Sequence, residues 1–408
     1  MVSGEISKSK EIIKPSSPTP PHLKKLQLSF LDQLAPPIYI HIILYFESSH
    51  DSNYEATLRE NSWVDCNDAG AEYIEARFNE DKILDIVEKC KVEELKNYAP
   101  TVPSGHGDIP LAVQVNFFGC GGIAIGICVS HRVADAMSVV MFINAWAATC
   151  RQDATAIAIT QPSFDLSSRF PPADFSSFLA LPPPRPQPPE RIVSKRFVFD
   201  EQKLAALKKA ASGPLVADPT RVEAVSAFIM KCFIEVATMK NKINKNKRIF
   251  AATHVVDIRQ RAAPHISHQL FGNACARAMA TVAGNELGPD YYELAVKLRN
   301  AIRKTDKFLK YYSVNEENDP VFNEGRKLLK ICGFTSWSRL PAYEADYGWG
   351  QPVWVSIIEV PQKNLIFFLG TKSGDGIEAW VNVVEEDMAK IETNYNLLNQ
   401  VESTDKLL

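Results

Sequence analysis

Residues 111–149 leave the chain the least freedom. "LAVQVNFF" and "IAIGICVS" alternate with the two-residue period of strands, and "GCGG" at 119–122 joins them, so the spacing predicts a strand pair with a glycine turn. From about Ala134 the period changes. Val139, Phe142, Ile143 and Trp146 recur at i, i+3, i+4 and i+7, one face of a helix running to about Thr149. A strand pair leading straight into an amphipathic helix commits this region to mixed α/β layering. Along the second strand Ile123, Ile125, Ile127 and Val129 face one way. Ala124, Gly126, Cys128 and Ser130 face the other, a surface small enough for a narrow channel to pass.

The junction between strand and helix reads "HRVAD", from His131 to Asp135. A histidine at the end of a rigid strand can serve as a base for a hydroxyl or amine attacking an activated carbonyl, because its ordinary pKa lies near working pH. It can equally be a hydrogen-bonded junction residue, with Asp135 only capping the helix. Asp135 suits the helix dipole and could pair with an arginine. The spacing leaves both readings open.

Elsewhere the pattern continues in kind. "LQLSFLDQL" and "YIHIILYF" suggest entry into a sheet, and residues 81–97 suggest a helix with Ile83, Ile86, Val87 and Cys90 on one face. "LPPPRPQPP", starting at Leu181, excludes helix and central strand and reads as an extended linker. It divides the chain into a domain at 1–180, a linker at 181–190 and a domain at 191–408. After it come a strand at "SKRFVFD" and a capping box at "TRVE" (Thr220 to Glu223). That box opens a helix with Val222, Val225, Ile229, Phe233 and Val236 inward. A helix near 290–311, a loop at "EADYGWGQP", strands at "VWVSIIEV", "LIFFLGTK" and "IEAWVNVV", and a terminal helix near "EEDMAKIE" complete two mixed α/β domains.

Composition narrows the function. At 408 residues the chain can bury two cores, and a formal charge of −3 gives no reason to expect nucleic acid or an anionic membrane as partner. The run "KNKINKNKR" at 240–248 reads as a solvated loop. No apolar run reaches membrane-spanning length, no leader pattern is visible, and eight cysteines without a C-x-x-C pair read as reduced thiols, so a cytoplasmic protein is expected. The "GCGGIA" match to the dinucleotide pattern precedes a strand rather than a helix and is rejected. His254, His265 and His268 around Asp257–Arg261 fit no metal-ligand spacing, so no metal is expected. Asp346 to Gly350, "DYGWG", offers the Trp349 N–H or nearby backbone to an oxyanion, or forms a tight turn packing an aromatic ring.

Taken together, the ordered motifs resemble those of the plant BAHD acyl-CoA-dependent acyltransferases. That family carries H-x-x-x-D in its first half, here His131 to Asp135, and D-F-G-W-G near its C-terminus, here with Tyr347 for the usual phenylalanine. "TRVEAVSAFIMKC", "VVDIRQRAAP", "FGN" at 271–273, "FTSWSRLPAYEADYGWGQP" and "SGDGIEAW" follow the family order, over nearly the whole chain. The resemblance implies two similar-sized mixed α/β domains of the chloramphenicol acetyltransferase type with a channel between them. His131 would be the general base and Asp346 is counted with it as catalytic, although its implied part is to shape its loop. Asp135, paired with Arg259, would support the site, as would Gly348, Trp349 and Gly350. Candidates for contacting acyl-CoA are Thr220, Arg221, Ser336 and Trp337.

No permanently bound cofactor is implied; acyl-CoA, acetyl-CoA by this resemblance, is the co-substrate of a monomeric enzyme acting on a small-molecule alcohol. Segments such as "VDCNDAGAEYIEAR" look most like indole-alkaloid acetyltransferase members, which implies acetyl transfer to a hydroxyl of an alkaloid or related specialised metabolite. One departure stands out. Family members carry a helix ending in Y-P-L-A-G-R before the "VDCND" stretch, and "FESSHDSNYEATLRENSWVDCND" passes almost directly between its flanks. The alternative is therefore a truncated paralogue that binds CoA or small molecules without turnover.

Overall fold

The computed structural model describes residues 5–20, 26–47, 68, 70–101, 110–173, 190–239, 249–261, 267–283, 290–308 and 329–398. The expected linker apart from Glu190, the basic run at 240–248, His265 and the departure at 48–67 lie outside them. Twelve strands among the described residues form two six-stranded sheets. In chain order they are β1 (Glu5–Ile13), β2 (Tyr39–Phe46), β3 (Ala71–Phe78), β4 (Leu111–Phe118), β5 (Ile123–Ser130) and β6 (Ile192–Phe199). Then follow β7 (Ile249–Asp257), β8 (Cys275–Ala283), β9 (Leu329–Ser336), β10 (Trp354–Ser356), β11 (Leu365–Gly370) and β12 (Ile377–Val384).

Two compact units share the chain, and neither is continuous. One holds Met1–Leu181, Ser267–Ala274 and Leu340–Glu359; the other holds Pro182–Ile266, Cys275–Arg339 and Val360–Leu408. By its place in the chain "DYGWG" falls in the expected C-terminal domain, and the structure differs. Residues 340–359 belong to the first unit because β10 adds itself to the open edge of β2, pairing Trp354 with Tyr45 and Ser356 with Ile43. The Tyr45 and Trp354 rings stack at 4.9 Å, and Tyr45 Oη lies 3.2 Å from Ser356 Oγ.

In the first unit the order is β1-β3-β4-β5-β2-β10, antiparallel except between β3 and β4. The strand-like expectation for "LQLSFLDQL" is corrected: α1 (Phe30–Leu34) is a helix, because Ser29 and Asp32 close a reciprocal capping box. The helix expected at 81–97 breaks in two. After α2 (Ile83–Lys89) Cys90 turns left-handed at φ +32°, and a 3-10 helix spans Val92–Tyr98. The expected channel beside the small face of β5 is also corrected. At Gly126 that face is covered by backbone: a Cβ there would stand 2.2 Å from the Tyr98 carbonyl oxygen. Gln114 and Asn116 of β4 hold the same segment by donating to the carbonyls of Asn97 (2.8 Å) and Tyr98 (2.9 Å).

The helix after the junction, α3 (Ala136–Cys150), forms as the period requires, with Val139, Ile143 and Trp146 buried. Two short helices follow, α4 (Ala154–Thr160) and α5 (Leu166–Arg169).

In the second unit the order is β6-β12-β11-β9-β7-β8. Helix α6 (Glu201–Ala210) follows β6, and the long helix α7 (Arg221–Met239) comes next. Val225, Ile229 and Phe233 of α7 share one core with Phe250, Phe334, Ile366 and Phe368 of the sheet. Of the predicted strand "VWVSIIEV" only the three residues of β10 pair. No helix among the described residues is long and apolar enough to cross a membrane.

Candidate active site

His131 stands one residue past β5. Its backbone N–H donates to Ile38 O at 2.9 Å, and Val133 N–H turns back to Ser130 O at 3.1 Å, so the imidazole leaves from the rim of a sheet. Its Nδ1 is 3.0 Å from Asn273 Oδ1. The orientation of that amide is fixed by its other end: Asn273 Nδ2 donates to Asp32 Oδ1 (2.9 Å) and to His131 O (2.8 Å). With both amide hydrogens so used, Oδ1 must accept, and the group that donates to it is Nδ1–H. The neutral ring therefore carries its lone pair on Nε2. This is the tautomer a general base needs.

Asp32 anchors this arrangement. Its Oδ2 accepts from Ser29 N–H (2.9 Å) and Ser29 Oγ–H (2.6 Å), and its Oδ1 accepts from Asn273 N–H (2.7 Å) as well as from the Asn273 amide. The carboxylate is buried, and its oxygens are occupied by four donors. Nothing in the sequence pattern gives Asp32 or Asn273 a role. "FGN" stands out only as a family motif, and S-x-x-D at 29–32 is a visible capping signal masked by the strand-like run around it.

Asp135 caps α3, accepting from Ser138 N–H at 2.8 Å, and its second oxygen accepts from Ala274 N–H at 3.1 Å. Arg259, expected as the partner of Asp135, is wholly buried just past β7, where its Nη1 donates to Asp257 Oδ1 at 3.1 Å.

The "DYGWG" loop lies at the other end of α3. Arg151, the C-cap residue, donates Nη1 to Asp346 O, and Asn144 Nδ2 donates to Pro341 O at 3.1 Å. A helix of 15 residues separates the two ends by roughly 22 Å at about 1.5 Å per residue. Asp346 Oδ1 accepts from Gly348 N–H (2.8 Å) and Gly350 N–H (2.9 Å), closing its own turn, in which both glycines have left-handed φ. These bonds close the loop, the part that the resemblance implies for Asp346. Trp349 stacks on Tyr347 at 5.5 Å and meets Phe46 edge-on at 6.0 Å. Tyr347 is buried against Trp146 (5.0 Å), and burial pushes its hydroxyl well above the usual tyrosine range.

In the second unit the candidate CoA contacts gather at one end of the sheet. Thr220 and Glu223 form the expected capping box (Thr220 N–H to Glu223 Oε2 2.8 Å, Glu223 N–H to Thr220 Oγ1 3.2 Å). Arg299 pairs with Glu223 at 2.6 Å, and together with the capping N–H this holds the carboxyl below its ordinary pKa against the opposing effect of burial. Arg221 Nη1 donates to Gly374 O at 2.6 Å in the turn after β11. Ser336 ends β9, with Oγ 3.0 Å from Ser338 Oγ, and Trp337 N–H donates to Phe368 O of β11 at 2.7 Å. His254 is a core residue of β7 stacked on Phe334 at 4.8 Å, its pKa lowered to about 4 by burial. Among the described residues no three or more metal-ligating side chains gather.

The fold is thus two mixed α/β units, one of which holds a histidine in a single neutral tautomer at a strand end. The model of a family described as the Transferase family matches residues 6–61 and 54–398. Stemmadenine O-acetyltransferase of Catharanthus roseus is 36% identical over 95% of this chain and 96% of its own. Vinorine synthase of Rauvolfia serpentina is 36% identical over 97% of each. The crystal structure of vinorine synthase superposes with a TM-score of 0.78 at 34% identity, covering 97% of this chain and 98% of that one. A crystal structure of F. graminearum TRI101 with coenzyme A and deoxynivalenol shares the fold, with a TM-score of 0.68 at 17% identity over 90% of this chain and 97% of that one. The chain belongs to this transferase family, the BAHD acyltransferases, and is an acyltransferase.

Proposed function

We propose that the protein transfers an acetyl group from acetyl-CoA to a hydroxyl of an alkaloid or related plant specialised metabolite, with His131 as general base. The observation that carries this reading is the His131–Asn273–Asp32 chain, which leaves Nε2 unprotonated and aims the ring. Nε2 takes the acceptor proton as the oxygen attacks the thioester carbonyl. The new C–O bond forms, the C–S bond breaks as the tetrahedral adduct collapses, and the imidazolium returns the proton to the leaving thiolate. Ester and free CoA result, with no acyl-enzyme. Asp135, Arg259, Gly348, Trp349 and Gly350 support the scaffold, and Asp346 closes its loop. Thr220, Arg221, Ser336 and Trp337 contact acyl-CoA, a role supported by their gathering at one sheet end. The enzyme acts as a cytoplasmic monomer.

The acetyl donor is supported by the relative named stemmadenine O-acetyltransferase. The test is incubation with acetyl-CoA and a panel of indole-alkaloid alcohols, following CoA thiol release and ester formation. General-base catalysis is worth about 10²–10⁴-fold, so His131→Ala is expected to lose at least 10²-fold in turnover. Equal turnover by the two proteins would overturn the assignment. Thermal stabilisation by CoA without ester formation would favour the binding-only paralogue.

A further inference from the structure

We propose that Ser138 is a positioning residue for His131, acting through Gly272 and Asn273; the inference rests on the acyl-transfer reading above. Ser138 is in the first turn of α3 and its side chain is wholly buried. Its Oγ donates to Gly272 O at 3.0 Å and accepts from Gly272 N–H at 3.0 Å. One hydroxyl thus holds both polar groups of a single residue, which fixes that residue's position along the helix end as well as its distance from it.

Gly272 is the neighbour of the amide that orients His131, and its fit is close. It adopts φ +126°, and a Cβ there would stand 2.6 Å from Leu166 Cδ2. The two residues after it are held as firmly. Asn273 N–H goes to Asp32 Oδ1 (2.7 Å), Ala274 N–H goes to Asp135 Oδ2 (3.1 Å), and the other Asp135 oxygen accepts from Ser138 N–H. The tripeptide 272–274 is therefore clamped by the side chains of Asp32, Asp135 and Ser138, and Ser138 is the one that grips its first residue. Removing that hydroxyl takes this acceptor from the buried Gly272 N–H and leaves the Gly272 carbonyl with the longer bond from Asp135 N–H at 3.4 Å, which loosens the segment. A shift of a few tenths of an ångström is enough to lengthen the 3.0 Å His131–Asn273 hydrogen bond and let the ring turn. A serine three places after Asp135 serves here as the far side of the latch that holds the catalytic tautomer.

The experiment is a double-mutant cycle of Ser138→Ala and Asn273→Ala, assayed with acetyl-CoA and an indole-alkaloid alcohol turned over by the wild type. Ser138→Ala is expected to lower kcat about tenfold, with both KM values within about twofold, because only the alignment of the base changes. In the Asn273→Ala background the same substitution is expected to change kcat by less than about twofold. A kcat within twofold of wild type, or a tenfold loss that persists without Asn273, would overturn the proposal. Ser138→Cys fills the same place with a weaker hydrogen-bonding atom and is the second variant if Ser138→Ala does not fold. It is expected to lose about threefold or more in kcat, and a wild-type kcat would count against the latch. The two readings fail separately. Turnover independent of His131 removes the acyl-transfer mechanism, whereas His131-dependent turnover with an unaffected Ser138→Ala removes only the role of Ser138.

Discussion

The two ends of α3 hold the two hallmark motifs by different physics. At its N-terminus, the side chains of Asp135 and Ser138 hold Gly272 and Ala274 by hydrogen bonds of 3.0–3.1 Å, and Asp32 holds Asn273 between them. At its C-terminus the "DYGWG" loop is held chiefly by rings: Tyr347 meets Trp146, Trp349 and Phe46 at 5.0–5.8 Å, and Trp349 meets Phe46 at 6.0 Å. Hydrogen bonds are directional and lose value over tenths of an ångström, while aromatic packing tolerates small displacements and contributes through buried area. The first end is built to aim a side chain, the second to hold a segment in the unit.

The largest effect that separates them is expected from Trp146→Ala. Emptying the space of a buried indole costs about 3–5 kcal/mol, so the unfolding midpoint in urea should fall sharply while kcat per folded molecule stays within about threefold of wild type. A kcat loss beyond the loss of folded protein would break the comparison by showing that the far end also aims the base.

A titration sharpens the contrast between the histidine at the strand end and the two enclosed within strands. Burial lowers His254 to about 4, and His41 to about 4 as well. In the unfolded chain each takes up its proton near 6.5, so the folded state is at full advantage above that pH and loses stability as pH falls from about 6.5 towards 4. For the fully buried His254 the whole change is on the order of 3 kcal/mol. His254→Phe, which keeps a ring against Phe334, is expected to flatten the fall in urea midpoint between about pH 7 and about pH 5. An unchanged slope would remove His254 from the account.

The smallest effect concerns the residue that departs from the family pattern. The Tyr347 hydroxyl is buried and makes no hydrogen bond to protein groups among the described residues. Tyr347→Phe removes a polar group buried at a cost, so a gain of about 1 kcal/mol in stability with unchanged kcat is expected from denaturation and steady-state assays. A loss of stability would show that the hydroxyl is satisfied after all.

Several elements are legible in the residue pattern alone, and for a common reason. The strand pair β4–β5, the helix α3 and the Thr220 capping box are set by local spacing: period two, period 3.6 and a four-residue cap. His131 can be singled out because the change of period places it at a strand end. Asp32 and Asn273 cannot, since 241 residues separate them and no local pattern joins them. Phe30–Leu34 reads as strand because five residues are too few to show a helical period, and the cap decides it. The face of β5 that reads as a channel wall is small for another reason: the chain at Tyr98 lies on Gly126.

By itself the sequence determined the layers, the strand-to-helix junction and the family, because each follows from the order of residues along the chain. Only the tertiary structure decided which unit owns "DYGWG", which oxygen faces His131, and hence which nitrogen holds the lone pair. Those depend on the returning segments 267–274 and 340–359, whose hydrogen bonds to α1, β2 and α3 join residues far apart in sequence. The position of His131 is specified locally; its tautomer is specified by contacts across the fold.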